Sequence, residues 1–332
     1  MRLIQFTHPQ HGRRIGIVEE PNVILLNKTI PSTYQLFSDI INTSQSHLPA
    51  IHALKTTEVV KYDDVYQAKN GLKMLPPIDC SDPMQCMVSG TGLTHKASAQ
   101  NRQKMHDQAD KLTDSMKMYL MGEEGGKPSD NEIGVQPEWF YKGSGINLKG
   151  HNDPLTVPEY GNDGGEEPEI AGVYLISAKG VPYRIGFVQG NEFSDHVMEK
   201  KNYLYLAPSK LRTCSIGPEL VLDTAFNDIS GTVTIFRQQK VIWSKAIKTG
   251  EAAMSHSLAN LEYHHFKYEQ HRIPGQLHVH YYGTGAFSFG ENIVLQQGDE
   301  MSVSYENMGR PLVNPLQINT EKEKLLRVNL LR

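Results

Sequence analysis

The sequence predicts an α+β protein in which β-strands predominate. Its second half repeatedly alternates apolar and polar residues, and this period of two is typical of strands that bury one face. At 332 residues, 39% of them apolar, the chain is long enough to enclose a substantial core. The predicted strand segments are GVYLIS, PYRIGFV, GTVTIF, QLHVHYYG and MSVSYE.

The first 75 residues predict a separate, β-rich unit. Three short apolar runs, RLIQF, RRIGIVE and NVILL, are divided by polar turns, which favours a small antiparallel sheet. A helix over YQLFSDII follows, and the prolines of KMLPPIDCSDP predict a stiff, extended connector. We therefore place a boundary near Leu75, with a small N-terminal domain over residues 1–75 and a catalytic domain over residues 80–332.

One long helix is predicted over residues 95–120. Apolar side chains recur there every three or four residues, which is the spacing of a helix with one buried face. These side chains belong to Met105, Ala109, Leu112, Met116 and Tyr119.

Composition and charge narrow the class of partner. The 33 basic and 37 acidic residues give a formal charge of −4, and no basic block is present, so a small polar ligand is favoured over nucleic acid. No 18-residue apolar stretch predicts a membrane span, and the opening segment MRLIQFTHPQ lacks the apolar core of a secretory signal. The three cysteines, Cys80, Cys86 and Cys214, are not spaced for zinc. We expect a cytoplasmic protein.

The segment GGEEPEI places acidic residues directly before an apolar run. Side chains of a strand alternate between its faces, so Glu167 and Glu169 point the same way as the alternate apolar residues after them. If Lys179 and Gly180 form a two-residue turn, counting back along both arms of the hairpin puts Glu192 opposite Glu167. Three carboxylates would then converge.

Three adjacent carboxylates repel one another unless they are protonated or bind a cation. An all-oxygen ligand set favours Mg²⁺ or Mn²⁺ over zinc. The alternative is that EEPE is a solvated acidic turn with no chemical role. The direct continuation into an apolar strand, and the convergence on a third acid, favour the metal site.

Five motifs in a fixed order resemble the fumarylacetoacetate hydrolase family. The resemblance extends over roughly residues 80–318, and its strength lies in the order of motifs that are weak singly. It implies a β-sandwich roll for the catalytic domain and a homodimer as the assembly. The motifs are Glu167-Pro168-Glu169 before an apolar strand, GFVQGNEFSDH at 186–196, SKLRTCSIGPEL at 209–220, GTG at 283–285 and LQQGDEMSVSYENMGRPLVNPL at 295–316.

The resemblance implies a divalent metal held by an E-x-E pair and by an acid that follows an asparagine. The ligands would be Glu167, Glu169 and Glu192. The sequence departs from the usual pattern at Glu192, because the third ligand is commonly Asp and the extra methylene lengthens its reach. The family's active-site lysine, which shortly precedes a Gly-Pro turn, matches Lys210. Outside such a motif a lysine is usually a solvated surface residue.

A second departure concerns hydrolysis. Hydrolases of the family carry an H-x-x-E dyad on a lid helix, where it activates water for attack on a carbonyl carbon. The corresponding stretch, SGTGLTHKASAQNR, retains His95 but has Ser98 in place of the glutamate. A serine cannot hold an imidazole as a carboxylate does, so C–C bond hydrolysis is disfavoured. Without a lid role, His95 would be an ordinary residue at a helix N-terminus.

The segments GNEFSDH, NYLYLAPSK and CSIGP resemble the sugar-acid branch of the family, the 2-keto-3-deoxypentonate dehydratases. This implies a lyase of pentose catabolism that converts a 2-keto-3-deoxy sugar acid to an α-ketoglutarate semialdehyde. The metal would bind the C1 carboxylate and the C2 ketone and acidify the C3 proton. Lys210 is the candidate base or enolate-stabilising group. A water near Glu192, or His95, is the candidate acid for the departing 4-hydroxyl.

Substrate binding is assigned on the same resemblance. The GTG segment would offer an N–H group and a hydroxyl to the substrate carboxylate, although in isolation it would be an ordinary turn. Lys142, in WFYKGSG, lies where the family often has a lysine near the pocket, and a surface role is the alternative. The candidate substrate-binding residues are Ser98, Lys142, Gly283, Thr284 and Gly285.

Other functions remain open. A hydrolase of 2,4-diketo sugar acids, or a decarboxylase of β-keto acids, would use the same metal and enolate. A non-catalytic protein could keep the fold, and a lysine Schiff base is the route of unrelated dehydratases. His278 and His280 share one strand face at the spacing of a zinc or iron pair, but hydrogen-bonded core histidines are the commoner outcome.

Overall fold

The structure, a computed structural model, describes residues 1–105 and 112–331, which form two β-sheets and eight α-helices. The strands are β1 (Arg2–His8), β2 (Gly12–Glu19), β3 (Asn22–Leu26), β4 (Lys55–Lys61), β5 (Lys73–Leu75), β6 (Cys86–Gly90), β7 (Phe140–Ser144), β8 (Leu148–Lys149), β9 (Leu155–Val157), β10 (Pro168–Ile176), β11 (Pro182–Asn191), β12 (Cys214–Ile216), β13 (Leu220–Val221), β14 (Ile229–Arg237), β15 (Lys240–Thr249), β16 (Leu277–Tyr281), β17 (Glu300–Tyr305) and β18 (Leu312–Ile318). The helices are α1 (Thr33–Asn42), α2 (His47–Ala53), α3 (Tyr62–Tyr66), α4 (Lys96–Met105), α5 (Asp114–Gly125), α6 (His196–Lys201), α7 (Leu206–Lys210) and α8 (Leu258–Phe266).

The two sheets differ in size. The larger has 13 strands in the order β4-β3-β2-β1-β13-β11-β10-β16-β6-β7, with β5, β8 and β12 attached beside this path. The smaller has the order β15-β14-β17-β18-β9. The five alternating segments correspond to β10, β11, β14, β16 and β17, so the prediction of a mainly β, α+β fold is confirmed.

The strands of residues 1–75 join the larger sheet. β1 pairs with β13 through Arg2 opposite Val221 and Leu3 opposite Leu220. The predicted helix over YQLFSDII is α1, which begins after Ser32, whose hydroxyl accepts a hydrogen bond from the Gln35 N–H group. The division into two domains at Leu75 stays a prediction.

β10 lies at the centre of the molecule and is buried along its whole length. Its two faces contribute to different cores, as the alternation of its side chains predicts. Ala171, Val173 and Leu175 pack in a core with residues of α1, whereas Ile170 and Tyr174 pack with residues of α8 and the smaller sheet. The residues that precede β10 are therefore held by packing on both sides.

The hairpin of β10 and β11 has the predicted register at its open end but not the predicted turn. Ser177 N–H donates to Val181 O at 2.9 Å, so three residues form the loop, with Gly180 at a φ of 74°. The prediction of a two-residue turn at Lys179 and Gly180 is therefore wrong. A β-bulge after Val173 leaves Ile185 unpaired and shifts the register by one residue, which compensates for the longer loop.

The predicted single helix over residues 95–120 is wrong in its continuity. Two helices, α4 and α5, occupy this region, and Thr113 caps α5 by accepting a hydrogen bond from Met116 N–H at 3.3 Å. Tyr119 is buried as predicted, whereas Leu112 is 51% exposed. Ala109 lies outside the described residues.

Candidate metal centre

Three carboxylates converge at the open end of the β10–β11 hairpin. Glu167 and Glu192 face each other across the two chains, with Glu192 N–H donating to Glu167 O at 2.9 Å. Glu169 lies two residues further along the same face. One oxygen from each of Glu167, Glu169 and Glu192 lies within 4.8 Å of the others, and all three side chains are buried. The predicted convergence is therefore confirmed as geometry.

Two buried lysines contact this carboxylate group. Lys210 Nζ lies 2.8 Å from Glu167 Oε1 and 3.0 Å from Glu192 Oε2. Lys142 Nζ lies 2.8 Å from Glu192 Oε1 and donates a hydrogen bond to Phe193 O. Both lysines are at most 1% exposed, so neither is the solvated surface residue that the sequence left as an alternative.

Crowding of charge separates the pKa values of the three acids. Burial raises the pKa of Glu169 well above its usual range, and repulsion from Glu192 and Glu167 adds to this effect. Burial also raises the pKa of Glu192, against the charges of Lys142 and Lys210, to about 7. For Glu167 the effect of burial is outweighed by Lys210 and by a hydrogen bond from His196, so its pKa lies well below normal. A divalent cation would compensate this accumulation of negative charge.

The pKa of Lys210 is raised well above its usual value. Burial alone would lower it, but the charges of Glu167, Glu192 and Glu199 dominate. Lys210 Nζ also lies 3.0 Å from Ser194 Oγ and 3.3 Å from Glu199 Oε1, so its ammonium has polar contacts within the protein. Lys210 therefore carries a positive charge at neutral pH.

His196 and Glu199 contact the centre and were missed at the sequence level. His196 Nε2 lies 3.0 Å from Glu167 Oε1, and its ring stacks on Phe287 with a centroid distance of 4.8 Å. Glu199 accepts a hydrogen bond from Ser209 Oγ at 3.0 Å. The available signal was their spacing, because residues three apart at the start of a helix share a face and α6 begins directly after the GNEFSD segment.

A second buried ion pair joins helix α4 to the centre. Arg102 Nη1 lies 2.8 and 3.0 Å from the two carboxylate oxygens of Glu138, and its Nε lies 3.8 Å from Glu199 Oε2. Tyr203 also donates to Glu138, at 2.9 Å. Since Glu199 contacts Lys210, helix α4 is connected to the carboxylate group through charged side chains.

The GTG segment lies beside the centre but uses its polar groups within the chain. Gly283 N–H donates to Glu169 Oε2 at 2.7 Å, and Thr284 Oγ1 donates to Ala286 O at 2.9 Å. An alanine Cβ placed on Gly285 would lie 3.9 Å from His95 Cδ2, so this glycine is a neighbour of His95. A role for the three residues in substrate binding stays a prediction.

His95 is buried among hydroxyl groups. Its Nδ1 lies 2.9 Å from Thr94 Oγ1 and its Nε2 lies 3.2 Å from Thr249 Oγ1. Burial lowers the pKa of His95 to about 4, so the ring is neutral at pH 7. Ser98 is also buried, on α4.

His278 and His280 form hydrogen bonds rather than a metal pair. His280 lies 2.8 Å from Ser89 Oγ and 2.7 Å from Thr91 Oγ1. His278 lies 3.0 Å from His265 Nε2 through its Nδ1. Among the described residues, the three glutamates are the group whose ligand atoms are close enough to hold an ion.

The fold is shared with several solved enzymes. The chain has the same fold as the solved 5-carboxymethyl-2-hydroxymuconate delta-isomerase of Mycobacterium smegmatis, with 17% identity, a TM-score of 0.58 and coverage of 96% of this chain and 100% of that chain. No family model matches the chain. The predicted resemblance to 2-keto-3-deoxypentonate dehydratases is confirmed by two relatives of this chain.

Those relatives are dehydratases. A probable 2-keto-3-deoxyxylonate dehydratase of Haloferax volcanii is 26% identical over 238 residues, which cover 70% of this chain and 71% of the relative. A solved 2-keto-3-deoxy-D-arabinonate dehydratase, complexed with magnesium and 2,5-dioxopentanoate, has 18% identity and a TM-score of 0.71 and covers 97% of this chain and 100% of that chain. Across residues 1–105 and 112–331, no helix has the length and apolar character to cross a bilayer.

Proposed function

We propose that this chain is a metal-dependent dehydratase of a 2-keto-3-deoxy sugar acid, with a pentonate as the substrate class and an α-ketoglutarate semialdehyde as the product. The observation that carries the proposal is the buried group of Glu167, Glu169 and Glu192 in contact with Lys210. The dehydratases among the relatives support the reaction type.

The donor set fits a hard divalent cation. Glu167, Glu169 and Glu192 offer only carboxylate oxygens, which suit Mg²⁺ or Mn²⁺ better than zinc. When bound, the cation would act as a Lewis acid that polarises the carbonyl oxygen of a 2-keto acid and increases the acidity of the adjacent C3 proton. His196 supports this arrangement by fixing one oxygen of Glu167 through its Nε2.

Lys210 would stabilise the negative charge that develops on the substrate. Of its two predicted roles, base or enolate-stabilising group, the second is supported by its contacts with Glu167 and Glu192, which hold the amine beside the carboxylates that would bind the cation. Glu167, Glu192 and Glu199 keep the ammonium in place. Fixed positive charge in a buried site stabilises a developing oxyanion more strongly than it would in water.

His95 would orient the substrate rather than protonate its leaving hydroxyl. With a pKa of about 4 the ring is neutral near pH 7 and is a poor proton donor. A water near Glu192 is then the proposed source of the proton for the departing 4-hydroxyl. Lys142, Ser98 and the GTG segment are proposed as substrate contacts.

The hydrolase alternative is less well supported. Its dyad requires a carboxylate partner for His95, whereas the two described hydrogen-bond partners of the ring are Thr94 and Thr249. Ser98, at the position of the glutamate, has no carboxylate to offer. We further propose a cytoplasmic homodimer that acts in pentose catabolism; three free cysteines support a reducing compartment.

The test is a panel of 2-keto-3-deoxy acids incubated with Mg²⁺ or Mn²⁺, with detection of the aldehyde product. Dehydration of a pentonate, abolished by EDTA and restored by either ion, is the expected result. Cleavage of a C–C bond, which would split the substrate into two fragments, would instead support the hydrolase. Covalent trapping of substrate by borohydride, with turnover insensitive to EDTA, would replace the metal mechanism with a Schiff base.

A further inference from the structure

The segment after β18 carries a row of aliphatic side chains that are almost fully exposed. From Thr320 to Leu331 the backbone belongs to no helix or strand. Every large aliphatic residue in this stretch is more than 80% exposed. The exposed fractions are 81% for Leu325, 92% for Leu326, 91% for Val328, 85% for Leu330 and 103% for Leu331.

Such a concentration of exposed aliphatic groups marks an interaction surface in a globular protein. The remaining sequence of the segment indicates which conformation would bury it. Leu326, Val328 and Leu330 alternate with Arg327 and Asn329, so a β-strand would place all three aliphatic groups on one face and the polar pair on the other. A helix would scatter the same aliphatic groups around its circumference.

We propose that residues 325–331 dock as an added β-strand on a sheet edge of a second copy of this chain. Edge strands offer unpaired N–H and C=O groups, and an incoming strand gains backbone hydrogen bonds together with side-chain burial. The larger sheet ends at β4 and β7 and the smaller at β15 and β9, so the protein itself supplies such edges.

The size of the contact fits a dimer. The three aliphatic side chains on the docking face, each burying on the order of 100 Å², give about 300 Å² for one segment. Two copies exchange two segments, and the covered surfaces are of similar size, so the total is about 1,200 Å². This reaches the range of stable protein–protein interfaces, at roughly 1,200–2,000 Å². A single segment bound to an unrelated partner would bury only half as much, and reciprocity is the property of a twofold contact.

The reach of the segment permits the exchange. The residues from Thr320 to Leu331 can span at most about 40 Å when extended, which exceeds the radius of a domain of this size. Glu321, Lys322, Glu323 and Lys324 form a polar stretch of mixed charge between β18 and the aliphatic row. They would act as the connection that crosses from one copy to the other.

The experiment compares two variants of the full chain by native mass spectrometry and by sedimentation at several concentrations. The first combines Leu326→Asn, Val328→Asn and Leu330→Asn, and the second, its matched control, combines Arg327→Gln and Asn329→Gln. Because none of these side chains is packed within the protomer, neither variant should unfold the core. We expect the first to weaken self-association at least about 100-fold and the control to leave it unchanged. A wild-type chain that is monomeric at all concentrations would overturn the proposal.

If other surfaces also contribute to the dimer, a second measurement tests whether residues 325–331 bind to the other copy. Chains labelled with ¹⁴N and ¹⁵N are mixed, allowed to exchange and treated with an amine cross-linker that reacts with Lys322 and Lys324. Cross-links that join light to heavy peptides, together with slow amide exchange over residues 325–331, are expected. Cross-links confined to one isotope, or amides that exchange freely in the assembly, would refute docking on a second copy.

Discussion

Replacing Glu169 with Gln tests the electrostatic reasoning about the metal centre most directly. Glutamine has the shape of glutamate, and its amide oxygen can still accept the hydrogen bond that Gly283 N–H donates to Glu169. The substitution therefore removes a charge and leaves the packing in place. Without a cation, the variant should be as stable as the wild type or more stable, because the charge it removes is repelled by two neighbours.

The magnitude follows from the separation of the carboxylates. Ligand oxygens of the three glutamates lie within 4.8 Å of one another. Two unit charges at that distance repel by about 3.5 kcal/mol at an effective dielectric constant of about 20. Glu169 faces two such neighbours, so the repulsion would be about 7 kcal/mol with all three acids ionised at that separation. Because burial and this repulsion raise the pKa of Glu169, a proton on this acid relieves part of the repulsion, and the expected gain in stability is smaller than this figure.

The assay is thermal unfolding of chelator-treated protein with and without Mg²⁺. Saturation of the wild type at about 100 times its Kd should stabilise it by about 2.7 kcal/mol, a rise of several degrees in Tm. The Glu169→Gln variant should begin at an equal or higher Tm and show no rise with Mg²⁺. Glu166→Gln is the matched control, because Glu166 is equally buried but bonds to Ser288 instead of joining the carboxylate group. An Mg²⁺-dependent rise in Glu169→Gln as large as in the wild type would refute the assignment.

Three further predictions concern turnover, backbone fit and pH. Lys210→Met should lower kcat by about 100-fold or more, as the removal of an oxyanion donor does. The control Lys200→Met, on the exposed side of α6, should leave kcat unchanged. Equal turnover of the two variants in steady-state kinetics would contradict the proposed role. Gly283→Ala should lower Tm markedly, because Gly283 has a φ of 101° and the new Cβ would lie 2.0 Å from Thr94 Oγ1. Gly298 has a φ of 82° and no atom within 4 Å of such a Cβ, so the control Gly298→Ala measures the backbone strain alone. Acidification from pH 7 to pH 5 should destabilise the fold by about 2 kcal/mol for each of His278 and His280. Burial lowers the pKa of both histidines to about 3, whereas a histidine of the unfolded chain has a pKa of about 6.5. In this pH range, therefore, only the unfolded chain takes up the two protons. Urea unfolding at both pH values measures this loss, and an equal pH dependence in His280→Gln would show that His280 does not contribute.

The pairing of Glu167 with Glu192 shows both the strength and the limit of sequence reasoning. Alternation of side chains and the length of the hairpin predicted that the two acids would face each other, and they do. The predicted turn was nevertheless one residue too short. The bulge at Ile185 absorbed the difference, and no local pattern announced it, because a bulge depends on packing of both sheet faces.

The residues around Lys210 illustrate what local patterns do not contain. Lys210 and Lys142 were selected only through motif resemblance, and their burial became evident from the fold. His196, Glu199 and the Arg102–Glu138 pair were not selected. Their partners lie far away in the chain, so no spacing rule connects them. The same reason explains the error at residues 95–120, where helical periodicity continued through residues 112 and 113, which are not helical, and past the cap of α5.

The sequence by itself determined the mainly β character, the positions of the main strands and the acidic pair at the start of β10, because these depend on the alternation of neighbouring side chains. It also carried the ordered motifs from which the dehydratase proposal begins. Only the tertiary structure decided that the two lysines are buried against the three acids, that Gly283 donates a hydrogen bond to Glu169, and that the aliphatic row after β18 is exposed. Burial and charge contact are properties of residues brought together from distant segments, and in a sheet protein of this kind such pairs are set by strand order and packing rather than by any local pattern.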